Sequence, residues 1–131
     1  MQCMLDTDTC VYLIKKAPGL KPGSALEDCY ISTIVLGELE YGVANSAEAR
    51  QEQNRQALLD FISAIQILPL TENVSETYGQ LRATLKKQAI GPNDTWIAAH
   101  ALAMQLPLAT NNTREFSRVP DLAIDTWMTL D

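Results

Sequence analysis

Histidine is almost missing from this chain: His100 is the only one in 131 residues. That excludes mechanisms built on a histidine pair and metal sites with several imidazole ligands. Cysteine is scarce as well. Cys3, Cys10 and Cys29 form an odd set with no CxxC spacing, which argues against a disulfide framework or a structural zinc site. Apolar stretches such as the one around Ile31 to Leu36 are far too short to span a bilayer. The start, Met1-Gln2-Cys3-Met4-Leu5-Asp6, has neither the basic residues nor the apolar length of a signal peptide, so a cytoplasmic location is expected. Positive charge is also in short supply. Ten basic residues against sixteen acidic ones leave a net charge of -6 and a pI near 4.7. Such a chain does not attract polyanions through its overall field. If it handles nucleic acid, it needs a local basic strip or metal ions between its acids and the phosphates.

What the chain does have is enough apolar content, 47%, to bury a core, and a length that fits one domain over residues 1–131. Short strand-like runs alternate with longer helical ones. Cys3-Met4-Leu5 reads as a first strand ended by Asp6-Thr7-Asp8-Thr9, with a helix through Val11, Leu13 and Ile14 to Lys15-Lys16. The proline- and glycine-punctuated Ala17 to Gly23 reads as a loop. Cys29-Tyr30-Ile31 reads as a second strand, with Ser32 or Thr33 capping a helix to about Val43. Ala47 to Ile65 carries a helical apolar stripe. Ile67 to Leu70 reads as a brief strand that Pro69 places at an edge or an end. Thr71 caps a helix bearing Val74, Tyr78, Leu81 and Leu85, stopped by Gly91-Pro92. Asn93 or Asp94 starts another to about Met104. Leu106 to Thr110 and Ala123-Ile124 close the list of strands. This alternation predicts an α/β fold, a three-layer α/β/α sandwich with a central, mainly parallel sheet. In such a sheet ligands sit at the carboxyl ends of the strands, so the polar residues just after each strand carry the information.

Asp6 directly follows the first strand and stands at that edge. It is equally suited to capping the next helix, and Asp8 reads as a cap. Glu38 lies among apolar residues in Thr33 to Gly42, where an acid is costly to bury unless paired or bound to a cation. Glu40 falls about 200° away on the helical wheel and reads as solvated. Gly37 and Gly42 suggest close approach by another backbone or a ligand. Asp94 suits a helix start on dipole grounds alone. The small residues behind it, Ala98, Ala99 and Ala101, let that helix pack close and bring Asp94 to the sheet edge. His100 points elsewhere and reads as a packed core residue. In Thr110-Asn111-Asn112-Thr113-Arg114-Glu115-Phe116, either a loop of turn formers or a secondary part of the site is present. In the second reading Asn112 or Glu115 completes the acids and Thr110 donates to a carboxylate.

Several acids gathered in one crevice repel one another without a counter-charge. Oxygen ligands with no Cys or His favour Mg²⁺ or Mn²⁺ over zinc. Such ions suit phosphodiester hydrolysis and make a histidine base unnecessary.

At these residues the chain resembles PIN-domain ribonucleases, in particular the VapC toxins of toxin–antitoxin pairs. The resemblance rests on Met4 to Cys10, on Ile31-Ser32 with Gly37-Glu38-Leu39-Glu40-Tyr41-Gly42, on Gly91-Pro92-Asn93-Asp94 with Ile97 to Ala101, and on Thr110 to Phe116. Each motif alone is weak; four in this order over nearly the whole chain are specific. The resemblance implies Mg²⁺ held mainly by Asp6 and Asp94, Glu38 completing a catalytic acidic triad, an RNA substrate (often tRNA), a homodimer, and a VapB-like antitoxin over the active-site groove. Many relatives carry an Asp where this chain has Asn112. That puts a second ion in question, with Glu115 as the acid that stands in.

For RNA contacts the sequence offers Lys15, Lys16 and Lys21, and Arg82, Lys86 and Lys87, with Arg82 and Lys86 on one helical face. Their alternative is a solvated surface. Three rival functions are readable. Asp6-Thr7-Asp8-Thr9-Cys10 nearly matches the DxDxT motif of HAD-type phosphatases, with Asp6 as nucleophile. A receiver-like phospho-acceptor would need an Asp after its third strand and a Lys after its fifth, and has neither here. A catalytically silent PIN domain used only for binding is the third, against which the retained triad argues.

Overall fold

The computed structural model describes residues 1–128. Five strands, β1 (Cys3–Leu5), β2 (Cys29–Ser32), β3 (Gln66–Leu68), β4 (Leu108–Ala109) and β5 (Ile124–Asp125), form one sheet in the order β3-β2-β1-β4-β5. All four pairings are parallel. The helices are α1 (Thr7–Ile14), α2 (Thr33–Ala44), α3 (Glu48–Ile62), α4 (Glu72–Thr84), α5 (Pro92–Met104) and α6 (Thr113–Phe116). The chain winds from β1 outward to β3, then returns past β1 to β4 and β5. Right-handed crossovers place α1, α2 and α3 on one face and α4 and α5 on the other. The contacts agree: α1, α2 and α3 touch one another, and α4 packs along α5. This is the expected α/β/α sandwich. The winding reverses between β1 and β4, which is where an open α/β sheet leaves a crevice.

Covered on both faces, β1 buries all three of its residues, so it reads as an unbroken apolar run rather than an alternating one. Pro69 ends β3, whose outer position leaves Gln66 and Ile67 exposed. Ser32 caps α2 by accepting from the Ile34 N–H at 3.1 Å. Val35, Leu39 and Val43, four residues apart, form the buried stripe of that helix. Thr71 caps α4 through the Val74 N–H, and Tyr78 of α4 stacks on Trp96 of α5 with ring centroids 3.7 Å apart. Ile97, Ala98, Ala99, His100 and Ala101 of α5 are all buried. Small alanines allow that close seat on the sheet.

Boundaries moved in four places. The polar group after β1 does not precede the helix but opens it, because α1 begins at Thr7 with Asp6 as its cap. Pro92 does not merely stop α4; it opens α5, at a position where its missing N–H costs nothing. α3 ends at Ile62, and Ile65 is buried beyond it. Thr113–Phe116, read as a loop of turn formers, makes the short α6 around the buried Phe116. No helix among the described residues is long and apolar enough to cross a membrane.

Leu5 is fully buried in the central strand, whereas Ile67 lies 36% exposed on the edge strand. Leu5→Ala should lower the unfolding free energy by about 2–5 kcal/mol. Ile67→Ala should change it by about 1 kcal/mol or less. Urea denaturation of the two variants in parallel measures the difference.

Candidate active site

Sheet register fixes the first contact of the site. Leu5 of β1 lies beside Ala109 of β4, and the Asp6 N–H carries the ladder one step further by donating to the Ala109 carbonyl at 3.1 Å. The next side chains on the two strands are Asp6 and Thr110, and Thr110 Oγ1 donates to Asp6 Oδ2. The same hydroxyl accepts from the Asn112 N–H at 2.9 Å, which fixes the direction of its proton. Asp6 Oδ1 accepts from the Thr9 N–H at 2.9 Å. Capping and site placement, alternatives in the sequence, are thus combined in one carboxylate. Burial pushes the Asp6 carboxyl up, against the opposing pull of hydrogen bonds from Thr110 and Thr9.

Glu38 stands on α2 and is held from two sides. Its Oε1 accepts from Thr7 Oγ1, and its Oε2 accepts from Asn93 Nδ2 at 3.3 Å. One side chain therefore ties α2 to the starts of both α1 and α5. Asp94, in the first turn of α5, has its carboxyl pushed up to about 7. Burial is the main cause, followed by its hydrogen bond to Glu115 and the charges of Glu115, Glu38 and Asp6. Glu115 moves the other way, chiefly because Asp94 donates to it, with help from Asn112, the Gly91 N–H and Arg118. Asn112 Nδ2 lies 2.6 Å from Glu115 Oε2, and the Gly91 N–H donates to Glu115 Oε1 at 3.3 Å. Burial and the neighbouring acids therefore favour the neutral form of Asp94, while Glu115 is held toward its charged form.

Asp6, Thr7, Asp8, Glu38, Asp94 and Asn112 line one cavity of about 220 Å³ at the carboxyl edge of the sheet. The fold thus brings together Asp6, Glu38, Asp94 and Asn112 from widely separated positions. Asp8 is not the cap of α1 but a residue of its exposed first turn. Glu40 turns away to an ion pair with Arg55. His100 is buried, and burial pushes its imidazole pKa down. A larger cavity, about 740 Å³, lies at the amino ends of the strands among Leu106, Pro107 and Ile124. Ser24, Gln105, Asp121 and Asp125 are its polar lining residues, and it shares no residue with the acid cavity.

The donor set suits a hard divalent cation: the lining side chains offer oxygen ligands, and no Lys or Arg lines the cavity to balance the acids. Among the described residues, no three acidic, His or Cys side chains close tightly enough to enclose an ion unaided. Space for water ligands remains, as Mg²⁺ prefers.

The sequence offered no signal for Thr7 and Asn93, whose roles arise only through space; Asn93 was legible as a helix starter alone. Arg82 donates to Tyr78 Oη at 3.3 Å. It lines a separate cavity of about 290 Å³ that reaches Pro92, near the start of α5. Lys86 lies past the end of α4 at Thr84, so it does not share a helical face with Arg82. Lys15 borders a groove with Val11, Leu39 and Leu58, while Lys16 and Lys21 are exposed near the end of α1 and in the loop beyond.

A PIN-domain family model matches residues 3–122. Ribonuclease VapC2 of Rickettsia felis is 40% identical over 131 residues, covering 95% of this chain and 96% of its own. The chain belongs to the VapC ribonucleases of the PIN-domain family. The tRNA(fMet)-specific endonuclease VapC of Salmonella typhimurium is 36% identical and covers 97% of this chain and 98% of its own. Among solved structures, VapBC2 of Rickettsia felis bound to a promoter DNA fragment superposes with a TM-score of 0.83 at 36% identity, over 97% of this chain and 99% of the other. DNA-bound VapBC of Salmonella typhimurium gives 0.85 at 35% identity, over 97% and 98%. Membership in the VapC family replaces the phosphatase reading of Asp6 and the receiver-like reading of the chain.

Because the folded chain raises the Asp94 carboxyl from 3.8 to about 7, it binds more protons than the unfolded chain between those values. Stability of the metal-free VapC chain should therefore fall as pH rises from about 4 to 7. The raised Asp6 carboxyl adds in the same direction. Asp94→Asn should flatten that decline and melt at or above the unaltered chain at neutral pH. Thermal unfolding in chelator across this range measures both.

Proposed function

We propose that the chain is a divalent-metal-dependent endoribonuclease, using Mg²⁺ with Mn²⁺ as a substitute, that hydrolyses phosphodiester bonds of tRNA or another structured RNA. The observation that carries this reading is the convergence of Asp6, Glu38 and Asp94 on one oxygen-lined cavity. The names of its relatives support RNA as the substrate. Asp6 and Asp94 would hold the ion, with Asn112 adding a neutral oxygen and Glu115 balancing Asp94. When bound, a divalent cation supplies Lewis-acid stabilisation of phosphate charge and a more acidic water. Glu38, oriented by Thr7 and Asn93, would orient an attacking water and accept its proton at a carboxylate oxygen. Thr110 and Thr9 keep Asp6 in one rotamer, so the site is organised before substrate arrives.

The same reading includes a cytoplasmic homodimer controlled by a VapB-like antitoxin, a partner supported by the VapBC complexes among its structural relatives. The groove of Val11, Ile14, Leu39, Val43 and Leu58 beside Glu38 offers that antitoxin an apolar seat. A silent, binding-only domain is the second reading. The intact triad and its positioning hydrogen bonds speak against it.

Incubation of a total tRNA pool with and without Mg²⁺ tests the proposal. Cleavage should require the ion and should vanish in Asp6→Asn and Asp94→Asn. Full cleavage by both purified variants would remove these residues from the mechanism. Arg82→Ala should weaken RNA binding and reduce the slope of log affinity against log salt by about one. An unchanged slope would return Arg82 to the solvated surface.

A further inference from the structure

Tyr41 is 67% exposed, unusual for a large aromatic side chain that no neighbouring helix covers. It stands on α2 and borders a cavity of about 500 Å³ with Thr33, Ile34, Gly37, Glu38, Thr7 and Asn93. Thr7 and Glu38 also line the acid cavity, so the two spaces adjoin. The sequence suggested that Gly37 and Gly42 admit another backbone or a ligand. No backbone of this chain packs there, because a Cβ at either position would meet nothing within 4 Å. Gly37 lines the Tyr41 cavity, so space remains open on that side of α2, directly beside the proposed reaction centre.

The charge balance gives that space a purpose. A chain of net charge -6 gains little from long-range attraction to RNA, and its acids repel the backbone wherever no cation intervenes. With few basic side chains to contribute, part of the affinity must then come from contacts that ignore charge. Base stacking on an aromatic ring is such a contact, and any base has a face for it. An aliphatic patch would serve a protein partner equally well. A single exposed ring flanked by the polar edges of Asn93 and Thr33 suits one planar, hydrogen-bonding heterocycle better.

We propose that Tyr41 is a stacking platform for a nucleobase next to the scissile phosphate, in the cavity formed with Gly37, Glu38 and Asn93. It rests on the endoribonuclease reading and adds a base subsite to it. The phenol ring supplies the face, Asn93 and Thr33 supply donors and acceptors at the base edge, and Gly37 leaves room for the ribose. Tyr41 contacts substrate away from the reacting atoms, so it governs KM more than kcat.

The test compares the unaltered chain with Tyr41→Ala and Tyr41→Phe. Cleavage of the tRNA pool in Mg²⁺ should show KM raised about 5- to 150-fold in Tyr41→Ala, the range that one stacked base is worth, with kcat little changed. Tyr41→Phe should stay close to the unaltered chain. In the non-cleaving Asp94→Asn background, binding of a fluorescent single-stranded oligo(rA) should weaken with Tyr41→Ala. Binding of a base-free ribose-phosphate oligomer of equal length should not. The salt slope should also be unchanged, since stacking releases no counterions. Equal KM for Tyr41→Ala and the unaltered chain would overturn the proposal. So would an equal loss on the base-free oligomer, or weakened antitoxin binding with RNA binding intact. If the unaltered chain fails to cleave RNA, the nuclease reading falls and takes this one with it. If that chain cleaves and Tyr41→Ala matches it, only the stacking subsite falls.

Discussion

Mutual repulsion among carboxylates at one edge of the sheet is the constraint around which this structure is arranged. Asp6, Glu38, Asp94 and Glu115 are spread along the chain, and folding pushes them together. Each is restrained by something nearby. Asp6 takes hydrogen bonds from a backbone N–H and a hydroxyl, Glu38 from a hydroxyl and an amide, and Asp94 is pushed toward its neutral form by burial and the acids around it. Asp6 and Asp94 also sit at the amino ends of α1 and α5, where the helix dipoles favour negative charge. These devices soften the repulsion without removing it. The buried core of β1, β2, β4 and α5 must hold the edge together. A sequence selected for stability alone would discard some of these acids.

Much of this was legible in advance, and the reasons are local. Ser32 and Thr71 announce their helices because hydroxyl caps are short-range chemistry. Cys3-Met4-Leu5 announces a buried strand because nothing polar interrupts it. The alternation of strands and helices then fixes a parallel sheet, and with it the edge where Asp6 must lie. Contacts set by register were not legible. Thr110 was readable as a donor to some carboxylate, but that its partner is Asp6, 104 positions away, is decided only by the pairing of Leu5 with Ala109. Glu38 could be singled out as an awkward acid, yet nothing in the sequence named Thr7 and Asn93 as its partners.

Other misreadings have equally physical origins. The polar run after β1 reads as the strand's end ahead of a helix, but Asp6 accepts from Thr9 and makes the run the first turn of α1. Arg82 and Lys86 have helical spacing, but α4 stops at Thr84, so the spacing ends before it applies. Gly37 and Gly42 invited a backbone or a ligand; no backbone of this chain packs on either, and each borders a cavity. Asn112 and Glu115 were read as alternatives to each other. In the fold they are hydrogen-bonded, and Asn112 lends Glu115 a donor while itself lining the cavity.

Since β4 lies beside β1 in space but more than a hundred residues after Asp6 in sequence, the acidic edge is among the last parts of the molecule to become possible. A nascent chain still on the ribosome, ending before Leu108, has an Asp6 without the Thr110 hydroxyl and an Asp94 without Glu115. It also lacks β4, against which β1 completes its burial. Synthesis thus passes through no intermediate product that carries the finished edge, which becomes possible only once the chain has been made as far as Glu115.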